Sequence, residues 1–294
     1  MRVTENMKYN STLESLFTIQ NQYNQQLEKM ATQKRINRPS DDPVGITQVL
    51  QLRSQQAAVT QYQANINTAE SWVSMTESQL NAANDILVKV KELALSQATA
   101  TASADTRANT ATQVASLREE LLSIANARLG DRYLFAGSST KVPFNDSYIY
   151  EGNDQKLSLA IESGVSLNYN VTGTEAFTDQ GGGSVDIFGV LTDLEQSLSA
   201  NDTTGIQDAL GGIDQSLTQV NVNVARCGTI GNRLDIAKTN LQNLSTQLST
   251  SLSNVEDADM AELAIKYAMK QVALQACYTM AGKLNEMTII DYLK

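Results

Sequence analysis

The chain has 294 residues, a net charge of −10 and no histidine. The acidity disfavours nucleic acid and anionic membranes as partners, and the missing histidine removes the commonest general base and metal ligand, so no cofactor is expected. No apolar run approaches the ~18–20 residues of a membrane span, so none is expected, and residues 1–20 lack the apolar core of a cleavable signal.

The first thirty-odd residues predict an amphipathic helix. Leu13, Leu16, Tyr23, Leu27 and Met30 alternate three and four apart, broken at Gln20, which is a heptad seam. Pro39 pushes Arg38 out of the helical region, so this helix should end by about Asn37. Asp41 and Asp42 then stand before Pro43. Adjacent carboxylates can be catalytic or calcium-binding, but before a helix they read better as cap and dipole partners. No other acidic cluster nearby completes a metal shell.

A long helix is expected from Pro43 to about Gln97, roughly 80 Å at 1.5 Å per residue. Leu52, Val59, Tyr62, Ile66, Ala69, Val73, Leu80, Ala83, Leu87, Val90 and Ala94 carry its seam. Residues 98–103 are a weak link. A further helix carries Val114, Leu117, Leu121, Ile124 and Ala125 on one face and should end at Gly130. Short strands are expected at Ser147–Glu151, Lys156–Ile161 and Val165–Val171. Gly181-Gly182-Gly183 reads as a flexible boundary and not as a phosphate loop, since no Lys-Ser/Thr follows. About forty residues are too few for a robust core of their own, so this insert should lean on the helices or on neighbouring subunits.

Helices resume with Asp186–Ser199. From Ile206 a second rod of about fifty residues has a seam of Leu210, Ile213, Leu217, Val220, Val224, Cys227, Leu234, Leu241, Leu248, Leu252 and Val255. Two rods of equal length with one seam each should pair. Glu256-Asp257-Ala258-Asp259 interrupts the pattern, and Asp259 with Glu262 resembles a capping box opening the last helix. That helix carries a seam of Met260, Leu263, Tyr267, Leu274, Cys277, Ala281 and Leu284, broken at Lys270. A second apolar stripe, Ile265, Met269, Val272, Ala276 and Met280, lies roughly 140° away. One partner helix can cover only one stripe, so the other needs burial in an assembly. Cys227 and Cys277 sit on helix stripes and read as small buried hydrophobes; a disulfide or metal pair would need a partner that the spacing does not supply.

The expected fold is therefore mainly α: long helical rods in a coiled-coil bundle with both termini paired, plus a small β-rich insert. Residues 1–36 and 258–294 form the terminal coiled coil, 37–140 and 186–257 the long-helix bundle, and 141–185 the insert. The breaks at 37–43 and 254–259 lie at equal depth from the two ends. They should form one hinge, with Asn37, Arg38, Pro39, Asp41, Asp42, Glu256, Asp257 and Asp259 as its residues. The assembly interface is expected on Leu16, Tyr23, Leu27, Leu263, Ile265, Tyr267, Met269, Val272, Leu274 and Leu284.

Arg35-Ile36-Asn37-Arg38-Pro39-Ser40-Asp41-Asp42-Pro43-Val44-Gly45 and Val255-Glu256-Asp257-Ala258-Asp259 resemble the two signature halves of the bacterial flagellin family. Arg35–Gly45 with its prolines at 39 and 43, Tyr133–Gly137 leading to Val142-Pro143-Phe144, and the ending Met287–Leu293 are more similar to the hook–filament junction members than to the filament-forming ones. Thr32-Gln33 departs from the family's usual Ser-Gly turn, which suggests a slightly longer first helix. The resemblance implies a non-enzymatic subunit of the bacterial flagellum. Such a subunit leaves the cell unfolded through the flagellar export apparatus, and a cytoplasmic chaperone holds its C-terminal region. It then forms a homo-oligomeric ring between the first hook-associated protein and the flagellin filament. The competing readings are a flagellin that polymerises alone, a tip or needle protein of a related secretion system, and an enzyme sited on the insert. The last lacks a nucleophile–base set.

Overall fold

The computed structural model describes residues 2–99, 102–179 and 184–292, with side chains given for 7, 9–99, 102–179 and 184–283. The Gly181–Gly183 boundary and part of the 98–103 link lie outside the described residues. In order, the elements are α1 (Arg2–Thr32), α2 (Pro43–Gln97), α3 (Ala104–Ala125), β1 (Arg128–Leu129), β2 (Arg132–Tyr133), β3 (Ser158–Glu162), β4 (Val165–Asn168), α4 (Gly173–Phe177), α5 (Ile187–Ser199), α6 (Thr203–Glu256) and α7 (Met260–Tyr292). Among the described residues the fold is mainly helical, with two small antiparallel hairpins. It divides into two compact units, one of residues 1–58 with 244–294 and the other of residues 59–243.

In the 59–243 unit, α2 buries Val59, Ile66, Val73, Leu80, Leu87 and Ala94, one every seven residues. On α6 the fully buried series is Ile206, Ile213, Val220, Cys227, Leu234 and Leu241, again every seven. Such a repeat keeps one face turned to a neighbour along the whole helix. Two ion pairs fix the direction: Glu70 with Lys238 at 2.6 Å and Lys91 with Asp214 at 2.5 Å. Position rises on one helix as it falls on the other, so the helices are antiparallel. The seam on α6 departs from expectation in one respect. Leu210, Leu217 and Val224 are only half-buried, and Ala209, Ser216 and Asn223 take the buried positions. The polar pair is satisfied: Ser216 Oγ donates back to Gly212 O, and Asn223 Nδ2 donates to Glu175 O at 2.9 Å.

α3 ends at Ala125 and not at Gly130. Gly130 instead has φ +62° in the turn of the β1–β2 hairpin, where a residue without Cβ is needed. β3 and β4 pair antiparallel with Leu159 opposite Leu167. The strand expected at Ser147–Glu151 is reduced to one bridge, Phe144 to Tyr150. Neither β1–β2 nor α4 follows from sequence periodicity, because two-residue strands and a five-residue helix carry no repeat.

The insert shares its core with the helices. Phe135, Phe144 and Phe177 are buried together with Phe188 of α5, at ring separations of 5.1–6.2 Å. α5 packs in turn on α3, where Arg118 reaches Glu195 at 2.5 Å and Thr192 Oγ1 at 3.0 Å. Glu175 ties the insert to α6. Its carboxylate accepts from Arg226 at 2.8 Å, from Lys156, and from the Thr172 amide at 3.2 Å. Burial alone would raise its pKa, but these bonds outweigh burial and hold it at about 2.

Two consequences follow for this unit. Phe177→Ala removes the ring shared by Phe135, Phe144 and Phe188 and should destabilise the unit by about 3–5 kcal/mol in denaturant melts followed by the fluorescence of Trp72. The depressed pKa of Glu175 gives the folded state stability that is full above the ordinary carboxylate value of 4.5 and is lost as pH falls towards about 2. The melting temperature should fall across that window, and Glu175→Gln should flatten the fall.

Candidate assembly site in the chain ends

The other unit is built from the two ends of the chain. α1 stops at Thr32 because Gln33 turns left-handed, with φ +59°. The first helix therefore does not run on to Asn37. A residue with a Cβ occupies a position that glycine fills more easily. Beyond it the chain runs extended beside the end of α6. Ala258 N donates to Gln33 O at 3.0 Å, Arg35 N donates to Glu256 O at 2.7 Å, and Lys34 bridges Asp257. The two sequence breaks thus lie side by side.

Glu256 is the centre of this clasp. Its side chain is 4 % exposed, yet Lys34 Nζ meets its Oε1 at 2.7 Å and Arg53 meets the same oxygen. A buried carboxylate is tolerable only when paired and hydrogen-bonded, and here it has two cations. Arg35 spans the same gap, donating to Val255 O at 2.8 Å and to Asp42 Oδ2 at 3.3 Å. Ile36 is buried beneath them.

Asp42 caps α2 as expected, accepting from the amides of Val44 and Gly45 at 3.2 and 2.9 Å. Asp41 does not cap the helix. Its Oδ2 accepts from the amides of Asn37 and Arg38, both at 3.0 Å, and closes the turn that carries Pro39 at its second position. The bond from the Gly45 amide leads the lowering of the Asp42 pKa; at Asp41 slight burial pulls upward but the two amide bonds prevail. Arg38 holds Glu28 through both carboxylate oxygens, at 3.0 and 2.9 Å. Asp259 caps α7 through the amides of Ala261 and Glu262. The expected capping box is incomplete, because Glu262 pairs forward with Lys266 at 2.6 Å. Asp257 accepts from Ser253 Oγ at 2.5 Å.

α1 and α7 pack against each other. The Tyr23 and Tyr267 hydroxyls share a hydrogen bond of 2.8 Å, and Lys270 Nζ reaches Gln22 Oε1 at 2.8 Å. With the Lys34–Asp257 bridge, these pairs make the helices antiparallel. Leu16, Tyr23, Tyr267, Leu274, Cys277 and Ala281 are half-buried on the seam, and Leu263 is fully buried. Leu27 is off it: the residue is 46 % exposed, and Gln26 faces inward instead. Met260 is likewise exposed. The side chain of Leu284 lies outside the described ones. The second stripe is open. Ile265 is 57 % exposed and Met269 and Val272 are each 65 % exposed, as one partner helix requires.

Among the described residues no group of His, Cys, Asp and Glu could hold a metal ion, and no helix is long and apolar enough to cross a membrane. The whole net charge falls on the other unit: residues 1–58 with 244–294 hold eleven basic and eleven acidic residues. Lys34 and Arg53 were not singled out from the sequence, and Arg35 and Ile36 entered only as part of the signature, with no structural role. The cue was there, in two basic residues placed just past α1 at the same depth as Glu256 near the other end.

Residues 3–140 match the model of the bacterial flagellin N-terminal helical region, and residues 210–293 match that of the C-terminal helical region. The chain belongs to the flagellin family. The matched regions of this flagellin-family chain include both halves of the clasp. It is 28 % identical to flagellar hook-associated protein 3 of Escherichia coli over 100 % of both chains. With the protein of the same name from Salmonella typhimurium it is 26 % identical over 99 % of each. A flagellar hook-associated protein from Vibrio parahaemolyticus shares its fold, with a TM-score of 0.69 and 24 % identity, covering 74 % of this chain and 100 % of that one.

The clasp makes two substitutions informative. Gln33→Gly relieves a left-handed cost of roughly 1–2 kcal/mol against a loss of about 0.4–1 kcal/mol through the unfolded chain, so a gain near 0.5–1 kcal/mol is expected. Glu256→Ala leaves Lys34 and Arg53 unpaired. Both cations are partly solvated, which keeps the cost nearer about 1–3 kcal/mol than the value for a fully buried pair. Thermal melts of the full chain check both, with opposite signs expected.

Proposed function

We propose that this chain is a structural subunit of the bacterial flagellum, an adapter that joins the hook to the flagellin filament. It forms a homo-oligomeric ring whose one side meets the first hook-associated protein and whose other side meets flagellin. It reaches that place outside the cell through the flagellar export apparatus, with a cytoplasmic chaperone covering its C-terminal helix beforehand. The observation that carries this reading is the divided burial of α7. Its seam finds a partner in α1, while Ile265, Met269, Val272 and Met280 stay in solvent. Fully burying such side chains is worth about 1.5–3 kcal/mol each, a strong drive to associate. The full-length likeness to hook-associated proteins supports the adapter over a self-polymerising filament subunit.

The residues of the clasp are the hinge in this reading, and Leu16, Tyr23, Leu27, Leu263, Ile265, Tyr267, Met269, Val272, Leu274 and Leu284 supply the assembly interface. The terminal pair is thinly held in the free chain. On α1 no described side chain is fully buried, and on α7 only Leu263 is. Against a backbone entropy of about 1–2 kcal/mol per ordered residue, so shallow a seam leaves the pair near balance until a neighbour covers it.

Electron microscopy of a strain lacking the gene tests the function. Hooks without filaments and flagellin shed into the medium are expected, and the purified chain alone should form no filaments; long filaments from the pure chain would instead make it a flagellin. Leu274→Asp should prevent complementation while leaving the 59–243 unit folded. In dilute solution, protease should trim α1 and α7 from the free chain quickly and stop near the clasp, leaving a stable fragment near 33–259; ends that resist would contradict the thin pairing.

A further inference from the structure

We propose that Met269 and Met280 are a methionine-oxidation site: a peroxide converts them to sulfoxides in the free chain, and the polar face that results keeps α7 from being buried. This rests on the assembly reading above and adds to it a chemical control.

The distribution of sulfur in the chain points to it. Of the eight methionines, Met7, Met260, Met269 and Met280 are exposed, all on the two terminal helices, whereas Met30 and Met75 are half-buried. Met269 and Met280 are eleven residues apart, three helical turns, and so share one face. Met269 borders a shallow apolar groove with Ala268, Val272, Ala273 and Ala276. Thiols would ordinarily intercept a peroxide first, as thiolates. Cys227 is buried and its thiol is pushed up to about 11, so it stays protonated, and Cys277 is half-buried on the α1-facing seam. The open thioethers are therefore the accessible soft nucleophiles.

The chemistry balances without a further reagent. The thioether sulfur attacks one peroxide oxygen, the O–O bond breaks, and a sulfoxide and water result, with sulfur oxidised by two electrons and the peroxide reduced by two. The product is polar and chiral where the face was apolar. A face that drives association by apolar burial loses that drive at two of its five positions. Once neighbours cover the face the sulfurs are shielded, so the site acts on the unassembled chain.

Two measurements test this. Purified full-length chain treated with hydrogen peroxide should, by peptide mass spectrometry, form sulfoxide at Met269 and Met280 several-fold faster than at Met75 of the 59–243 unit; equal rates would overturn the site. A strain lacking its own copy is then complemented with the natural chain or with Met269→Leu/Met280→Leu, and filaments under peroxide are scored as a fraction of those in the same strain untreated. Under peroxide the natural chain should accumulate in the medium and leave several-fold fewer filaments than the variant; equal loss would overturn the control. If the Leu variant fails without peroxide, Met269→Gln/Met280→Gln replaces it: loss of filaments is expected, and retained filaments would overturn the proposal. Failure of the natural chain to restore filaments in untreated cells would count against the adapter reading, and the oxidation rates would still decide the site.

Discussion

A single carboxylate, that of Glu256, holds together segments of the chain more than two hundred residues apart in sequence. It stands at the C-terminal end of α6, where the backbone dipole makes a negative charge unwelcome. It persists there because Lys34 and Arg53 converge on one of its oxygens and Arg35 takes the neighbouring Val255 carbonyl. The cations thus answer both the side chain and the helix end. With that point fixed, Gln33, Arg35 and Ala258 pair across the gap, and α1 and α7 set out from a common origin. Without it, the shallow α1–α7 seam would have to be found by two tethered helices with little fully buried surface between them.

The two units differ in how they meet solvent. The 59–243 unit carries all of the net charge and closes its core internally, around two heptad series and a cluster of four phenylalanines. The unit of chain ends is neutral overall and leaves an apolar stripe open. Neutral apolar faces can come together without long-range repulsion, while like-charged surfaces resist it except under salt screening. In the proposed ring, adhesion then belongs to the ends and solubility to the acidic unit.

Much of this was legible in the residues. Apart from Leu27 and Met260, the seams of α1, α2 and α7 follow from three–four spacing, and the second stripe of α7 is exposed as its angular separation implies. Asp42 and Asp259 cap the helices that they precede. The misses have local causes. Gln33 ends α1 in a left-handed turn that its residue type does not advertise. Asp41 turned inward to the Asn37 and Arg38 amides because Asp42 already served α2. Glu262 found Lys266 four residues on, a better partner than the backbone behind it. On α6, Asn223 took a seam position over Val224 because the Glu175 carbonyl of α4 gives its amide a partner, and no periodicity encodes that. The insert leans on the helices as expected, but its first strand, Ser147–Glu151, shrinks to a single bridge. Its order comes from an aromatic cluster completed by Phe188, which lies outside the segment that seemed to define it.

Hydrogen exchange on the full-length monomer, resolved to single amides, tests the central claim most directly. The Arg35 and Ala258 amides donate across the clasp in an otherwise open segment. If Glu256 anchors the chain ends, both amides should be protected more strongly than those of α1 between residues 10 and 30, because the terminal helices part before the clasp opens. Arg35 and Ala258 exchanging at the rate of unbonded amides, with α1 still protected, would contradict it.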